Sequence, residues 1–64
     1  MTNYELLCEL QHEAFETVAS TYAEWTAYEI NGEVNATKKR LYMIQITKYT
    51  DRAYQLGKFI DSMR

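Results

Sequence analysis

Apolar and small residues recur at alternating spacings of three and four along most of the chain. In the first half, the positions on this stripe are Tyr4, Leu7, Gln11, Ala14, Val18, Thr21, Trp25 and Tyr28, and in the second half they are Tyr42, Ile46, Tyr49, Ala53, Leu56, Ile60 and Met63. Such spacing places side chains on one face of an α-helix. The pattern predicts a helix over about residues 3–29, a turn over about residues 30–35 and a helix over about residues 36–63. Cys8, Phe15 and Tyr22 widen the first stripe.

The ends of both predicted helices carry recognisable signals. Thr2 and Glu5 have the spacing of a capping box at the start of the first helix. Gly32 follows Asn31 and supplies the left-handed conformation that ends many helices. Either Asn31 or Asn35 is placed to cap the second helix. The chain has no proline, and Gly57 lies inside the second stripe, where a close helix crossing would account for it.

Two features of the sequence favour other structures. Residues 26–36 contain Asn-Gly, the preferred two-residue turn of a β-hairpin, and residues 41–47 are rich in strand-forming residues. Ser20 and Thr21, followed by Glu24, have the spacing of a second capping box, which would split the first helix. Both stripes are too long for strands, and we therefore favour two long helices.

The charges are sorted along the chain. Residues 1–33 contain seven Glu and no Lys or Arg, whereas residues 34–64 contain seven Lys or Arg and two Asp. Two oppositely charged halves attract when the chain folds back on itself, although each exposed pair contributes only about 0–1 kcal/mol. In an antiparallel hairpin, Lys38, Lys39 and Arg40 would lie near Glu24 and Glu29.

Association with a second copy is predicted from size and composition. A chain of 64 residues forms one domain with a marginal core. Cys8 is the only cysteine, so no disulfide can form within the chain. Leu41, Ile44 and Tyr54 lie off the apolar stripe, and one hairpin cannot bury both sides of a helix. The predicted fold is all-α: an antiparallel helical hairpin that pairs into a homodimeric four-helix bundle.

The sequence contains no pattern that predicts an enzyme, a cofactor or a metal site. Glu9 and His12 have the Glu-x-x-His spacing of di-iron bundles, but the second helix offers only Asp51 and Asp61, both off the stripe. Cys8 has no basic neighbour in sequence that would lower its pKa, and it is predicted to be a small core residue.

The predicted function is therefore binding. The size and hairpin plan are similar to those of many small bacterial and phage-encoded regulators, including the dimeric RNA-binding hairpin of plasmid copy-number control; this similarity is architectural, and no motif carries it. We expect a non-enzymatic regulator, adaptor or inhibitor of the kind that phages and mobile elements encode. The predicted partner-binding residues are Leu41, Ile44, Tyr54, Lys38, Lys39 and Arg40.

Two other functions remain open at this point. The first is nucleic-acid binding through the basic run from Lys38 to Arg40. The second is binding of a small ligand or metal between the subunits of a bundle. With no long apolar run and no basic, apolar leader at the N-terminus, we expect a cytoplasmic protein that does not enter the membrane.

Overall fold

The computed structural model describes residues 1–63 and contains two antiparallel helices. Helix α1 spans Asn3–Ile30 and helix α2 spans Ala36–Ser62. They pack side by side along most of their length, and the predicted all-α hairpin is confirmed. Helix α1 continues without a break through residues 20–24, and residues 1–63 contain no strand. The split helix and the β-hairpin are thus both wrong for this chain.

Each helix begins at a side chain that accepts a hydrogen bond from the backbone. The Glu5 backbone N–H donates to Thr2 Oγ1 at 3.1 Å, and the Lys38 backbone N–H donates to Asn35 Oδ1 at 2.8 Å. Asn35, and not Asn31, is therefore the cap of α2. These bonds satisfy backbone donors that have no partner within the first turn of a helix.

The turn between the helices is built around Gly32, which has a φ of 70°. Its N–H donates to the carbonyl of Glu29 at 3.0 Å, and the N–H of Glu33 donates to the carbonyl of Tyr28 at 2.9 Å. This pair of bonds defines a Schellman motif, in which the residue after the C-cap takes the left-handed conformation. The turn thus satisfies the last carbonyls of α1 while it reverses the chain.

The core lies on the predicted stripes and is built mainly from small residues. The buried residues are Ala14, Thr21, Ile46, Ala53 and Ile60. Leu7, Val18, Trp25, Tyr42, Tyr49 and Leu56 are half-buried around them. No large side chain among residues 1–63 is completely buried. Two helices alone therefore enclose only a thin line of apolar contact.

Two polar side chains cross this core. Gln45 Nε2 donates to Thr21 Oγ1 at 2.8 Å, and the same hydroxyl donates to the carbonyl of Thr17 at 2.8 Å. Gln11 Nε2 donates to the carbonyl of Ala53 at 3.3 Å. Because a buried polar group costs free energy when it is unpaired, these bonds favour one register of α1 against α2.

Gly57 provides the room for the Gln11 bond. A Cβ built at position 57 would lie 3.0 Å from Gln11 Nε2, closer than an ordinary van der Waals contact. The close approach predicted for this glycine is thus a side-chain amide that reaches across from α1.

The two glycines give contrasting expected results when each is replaced by Ala. Gly32→Ala should lower the free energy of unfolding by about 1–2 kcal/mol, because a Cβ strains the left-handed conformation although space is open around it. Gly57→Ala should change it by less than about 1 kcal/mol, because a gain of about 1 kcal/mol in helix propensity offsets the displaced Gln11 bond. Urea titrations followed by circular dichroism measure both changes. A loss at position 57 equal to that at position 32 would contradict this account of Gly57.

Candidate interaction surface

The hairpin is a single layer of two helices with two broad sides. The Cα atoms extend over 46 × 17 × 12 Å, and their radius of gyration is 14.6 Å. A globular domain of this length has a radius of gyration of about 11 Å. A single layer leaves a groove between the helices on each side, and each groove is lined by residues of both α1 and α2.

One side of the layer is polar, and we call it the polar side. Its groove is lined by Leu10, Glu13, Ala14, Thr17, Tyr49, Arg52 and Leu56. Towards the turn, the same surface continues over Glu16, Ser20, Glu24 and Gln45. Carboxylates, hydroxyls and an amide dominate the half of this side near the turn, whereas Leu10, Tyr49 and Leu56 make the groove itself largely apolar.

The opposite side is apolar, and we call it the aromatic side. Its groove runs between Phe15 and Tyr54, with Gln11, Ala53 and Gly57 along the floor. The seven-residue repeat extends this side to Cys8 and Tyr22 on α1 and to Met43 and Thr50 on α2. Phe15 is 53% exposed and Tyr54 is 65% exposed, so large rings project from this side.

A third surface lies on the outer face of α2, in its first three turns. A shallow groove there is lined by Ala36, Lys39, Arg40, Met43, Ile44, Thr47 and Lys48. Ile44 is 54% exposed, and Leu41, one turn before it on the helix, is 60% exposed. We define the α2 patch as Lys39, Arg40, Leu41, Ile44 and Lys48; Met43, which borders this groove, is counted with the aromatic side.

The six residues predicted as the partner site do not form one surface. Ile44, Lys39 and Arg40 line the groove of the α2 patch, whereas Leu41 lies on the other flank of Ile44 and does not line that groove. Tyr54 lies about 15 Å further along the helix than Ile44, at about 1.5 Å per residue, and it borders the groove of the aromatic side. Lys38 is half-buried and turns towards α1.

Four cations of α2, Lys38, Lys48, Arg52 and Lys58, lie over tyrosine rings and form no ion pair with the glutamates of α1 within residues 1–63. Lys38 Nζ lies 4.2 Å from the centre of the Tyr28 ring across the helix interface, and Lys58 Nζ lies 4.9 Å from the Tyr54 ring. Within residues 1–63, no Glu of α1 forms an ion pair with a Lys or Arg of α2. The ion pair that the structure shows joins His12 Nε2 to Glu16 Oε1, both on α1, at 2.9 Å. The predicted attraction of Lys38, Lys39 and Arg40 to Glu24 and Glu29 is therefore not accompanied by ion pairs within residues 1–63.

Three aromatic rings stack near the turn. The Trp25 ring lies nearly parallel to the rings of Tyr22 and Tyr42, with centroids 6.3 Å and 6.0 Å away. Burial, followed by the nearby Glu24 carboxylate and Tyr28, raises the pKa of the Tyr42 hydroxyl. Trp25 Nε1 is buried and has no hydrogen-bond partner among the described residues. This ladder is the main apolar contact at the turn end of the hairpin.

The residues considered for metal or nucleophilic chemistry, Cys8, Glu9 and His12, line one shallow depression near the start of α1. His12 Nε2 contacts Glu16. Cys8 is half-buried on the wall of this depression with Met1, Tyr4 and Glu9. Residues 1–63 contain no group of three or more His, Cys, Asp or Glu side chains placed to hold a metal ion.

The aromatic side was not recognised in the sequence as a separate surface. The pattern assigned Phe15 and Tyr22 to the widened stripe of α1, yet each is about half exposed, as is Met43 on α2. The signal that identifies them is their position beside the stripe, at seven-residue intervals on both helices. In a two-helix hairpin, such flanking residues lie outside the contact between the helices.

No protein-family model matches this chain, and no curated protein or solved structure shows significant similarity to it. Neither helix, over residues 1–63, contains a stretch long and apolar enough to cross a membrane.

Proposed function

We propose that this chain is a non-enzymatic protein-binding regulator, adaptor or inhibitor that works as a homodimeric four-helix bundle and contacts its target through the α2 patch. One observation carries this proposal. Leu41 and Ile44 are exposed on α2, and Lys39, Arg40 and Lys48 line the groove beside Ile44 without an ion pair to a Glu of α1 in residues 1–63. An apolar centre with a charged rim is the usual composition of a protein interface.

The chemistry of the α2 patch indicates the kind of target that it fits. Full burial of an Ile or Leu side chain contributes about 1.5–3 kcal/mol, so Leu41 and Ile44 can supply much of the affinity. The cations at the rim would speed association with an acidic surface and select against a basic one. The expected target is therefore a protein with an apolar depression bordered by Asp or Glu.

Nucleic-acid binding through the basic run is the alternative. The contact of Lys38 with Tyr28 disfavours it, because this contact leaves only Lys39 and Arg40 of the run to face a phosphate backbone. The chain also carries a net charge of −2. Affinity for nucleic acid grows with the number of phosphates that are neutralised. A small ligand held between two copies is a third possibility, for which mass analysis of the purified protein is the test.

We predict that Ile44→Glu leaves the dimer intact and weakens target binding at least tenfold. A buried carboxylate opposite an acidic rim costs more than the 1.4 kcal/mol that corresponds to a tenfold change. Affinity capture of cellular proteins on the wild type identifies the target, and titration of that target measures the affinity. Leu6→Glu is the matched control, because Leu6 is an exposed leucine of α1. If Leu6→Glu weakens binding as much as Ile44→Glu, the α2 patch is not the site.

Salt dependence separates the two binding functions. Phosphate contacts give a linear fall of log affinity with log salt concentration, with a slope near −0.9 for each phosphate neutralised on a duplex. A labelled duplex or single strand whose binding has such a slope, and is lost in Lys39→Glu/Arg40→Glu but not in Ile44→Glu, would favour the nucleic-acid function.

A further inference from the structure

The hairpin exposes more surface than a folded monomer of its mass. Its accessible surface is 4980 Å², whereas a monomeric protein of 7.6 kDa exposes about 4300 Å². The excess is about 700 Å², close to the roughly 800 Å² that each partner buries in a standard protein interface. The chain therefore carries about one interface of unpaired surface beyond what a monomer needs.

The residue composition of the two sides indicates which of them forms the interface. The polar side presents Glu13, Glu16 and Glu24, whose carboxylates would be costly to bury without partners. Apolar residues are exposed on the other half of this side, where the seven-residue repeat places Leu6, Leu10, Phe59 and Met63. The aromatic side presents Phe15, Tyr22, Met43 and Tyr54, which bring the large contact area typical of interfaces. Burial of the aromatic side therefore desolvates fewer carboxylates than burial of the polar side would.

The groove of the aromatic side has the shape of a receptor for large side chains. Its floor is made by Ala53 and Gly57, with the Gln11 amide against Gly57, and its walls are Phe15 and Tyr54. Lys58 and Asp61 border the groove at one end. An aromatic or aliphatic side chain from a second layer can enter between these walls, as a knob enters a hole in helical bundles. Domains usually consist of at least two such layers.

We propose that the occupant of the aromatic side is a second copy of this chain, stacked layer on layer as a symmetric dimer. This inference deepens the oligomeric part of the proposed function, on which it rests. The excess area matches one such interface, and the same face on both copies satisfies two-fold symmetry. Charge then selects between the two ways of stacking the hairpins face to face.

A two-fold axis parallel to the helices places α1 of one copy over α2 of the other, with both turns at the same end. A two-fold axis across the helices places α1 over α1 and α2 over α2, with the turns at opposite ends. Residues 1–33 contain seven Glu and no cation, and residues 34–64 contain all seven Lys and Arg. Only the first arrangement puts acidic helices beside basic ones at every contact, and it is therefore the proposed arrangement.

This arrangement also fixes which layers meet. Rotation about an axis parallel to the helices does not change the position of a residue along that axis. Residues of α1 and α2 that lie side by side within one hairpin therefore also lie at the same level between the two copies. Within the hairpin, Thr21 contacts Gln45 and Trp25 contacts Tyr42. Phe15 of one copy then lies at the height of Thr50 and Ala53 of the other. Leu41 and Ile44 lie outside the bundle, so the dimer leaves the α2 patch open to a target.

Analytical ultracentrifugation of the wild type and two charged variants tests the proposal. We expect the wild type to sediment as a dimer at about 10–100 μM, and Phe15→Glu to lower the dimer affinity at least a hundredfold. Leu10→Glu is the matched control, since Leu10 is a similarly exposed residue on the polar side of the same helix, and it should remain dimeric. A wild type that sediments as a folded monomer overturns the proposal, and so does a Leu10→Glu variant that dissociates as readily as Phe15→Glu.

A second measurement applies if Phe15→Glu fails to fold as a monomer. When folding is coupled to dimer formation, the melting temperature of the wild type rises with protein concentration, because association stabilises the folded state by mass action. A melting temperature that is independent of concentration overturns the proposal. This readout does not involve Ile44, so failure of the dimer and failure of target binding can be told apart.

The direction of stacking is tested by a spin label in the turn. The variant Cys8→Ser/Glu33→Cys carries one label per chain at an exposed position. Turns at the same end should give a separation of about 20–30 Å, two to three helix diameters. Turns at opposite ends should give a separation near the 46 Å length of the hairpin, and this result would overturn the proposed arrangement.

Discussion

Ile46→Ala is expected to lower the free energy of unfolding by about 2–4 kcal/mol, within the range for truncation of a buried Ile. Ile46 is 9% exposed and is one of only five buried residues in the described chain. The total stability of a chain of this length is only roughly 3–10 kcal/mol. The variant should therefore lose a large share of its stability, as measured by urea titration with circular dichroism.

Ile44→Ala is the matched control for this prediction, because it makes the same chemical change two positions away on the same helix. Ile44 is 54% exposed and lies on the outer face of α2. Its truncation should cost less than about 1 kcal/mol, since the side chain loses little apolar contact. Equal losses at the two positions would mean that Ile44 is packed inside the oligomer, and the α2 patch would then be a subunit contact and not a target site.

Trp25→Ala is the second change expected to have a large effect, with a loss of about 3 kcal/mol. Truncation of a buried Trp typically costs about 3–5 kcal/mol, and the lower value applies because Trp25 is only half-buried. The change removes the central ring from between Tyr22 and Tyr42. Thermal unfolding measures the loss, and the near-ultraviolet circular dichroism of the stacked rings should weaken with it.

Trp25→Phe is the control that separates the ring from its polar atom. Phe retains a ring between the two tyrosines and removes Nε1, a buried donor that has no hydrogen-bond partner among residues 1–63. The smaller ring loses contact area, but removal of an unpaired buried donor offsets part of this loss. The expected cost is below about 1 kcal/mol. A cost as large as that of Trp25→Ala would show that the indole N–H has an acceptor that stabilises the fold.

The helices, their ends and the core-facing residues could be predicted from the sequence because each depends on local chemistry. A stripe with three- and four-residue spacing has only one helical face, so the burial of Ala14, Ile46 and Ala53 follows from the stripe once the helices pair. Thr2 and Gly32 act within one turn of their own position. The β-hairpin suggested by Asn31-Gly32 does not form because the long stripes on both sides require helices. Gly32 instead ends α1.

The surfaces could be predicted only in part. The sequence distinguishes Leu41 and Ile44 as apolar residues off the stripe, and the structure leaves both exposed. It does not show that Tyr54 faces another side, because three residues off one stripe can point in three directions. Nor does it show that Lys38 contacts Tyr28, since that contact depends on the register between the helices.

The sequence by itself thus determined two capped helices, the turn between them and the faces by which they meet. The tertiary structure decided which neighbours of the stripe are covered, and it left Phe15, Tyr22 and Met43 open because two helices form only one layer. It also decided that cations of α2 lie over tyrosine rings and that Gln11 fills the space beside Gly57. These contacts join residues far apart in the chain, and their geometry exists only when α1 and α2 are docked in one register.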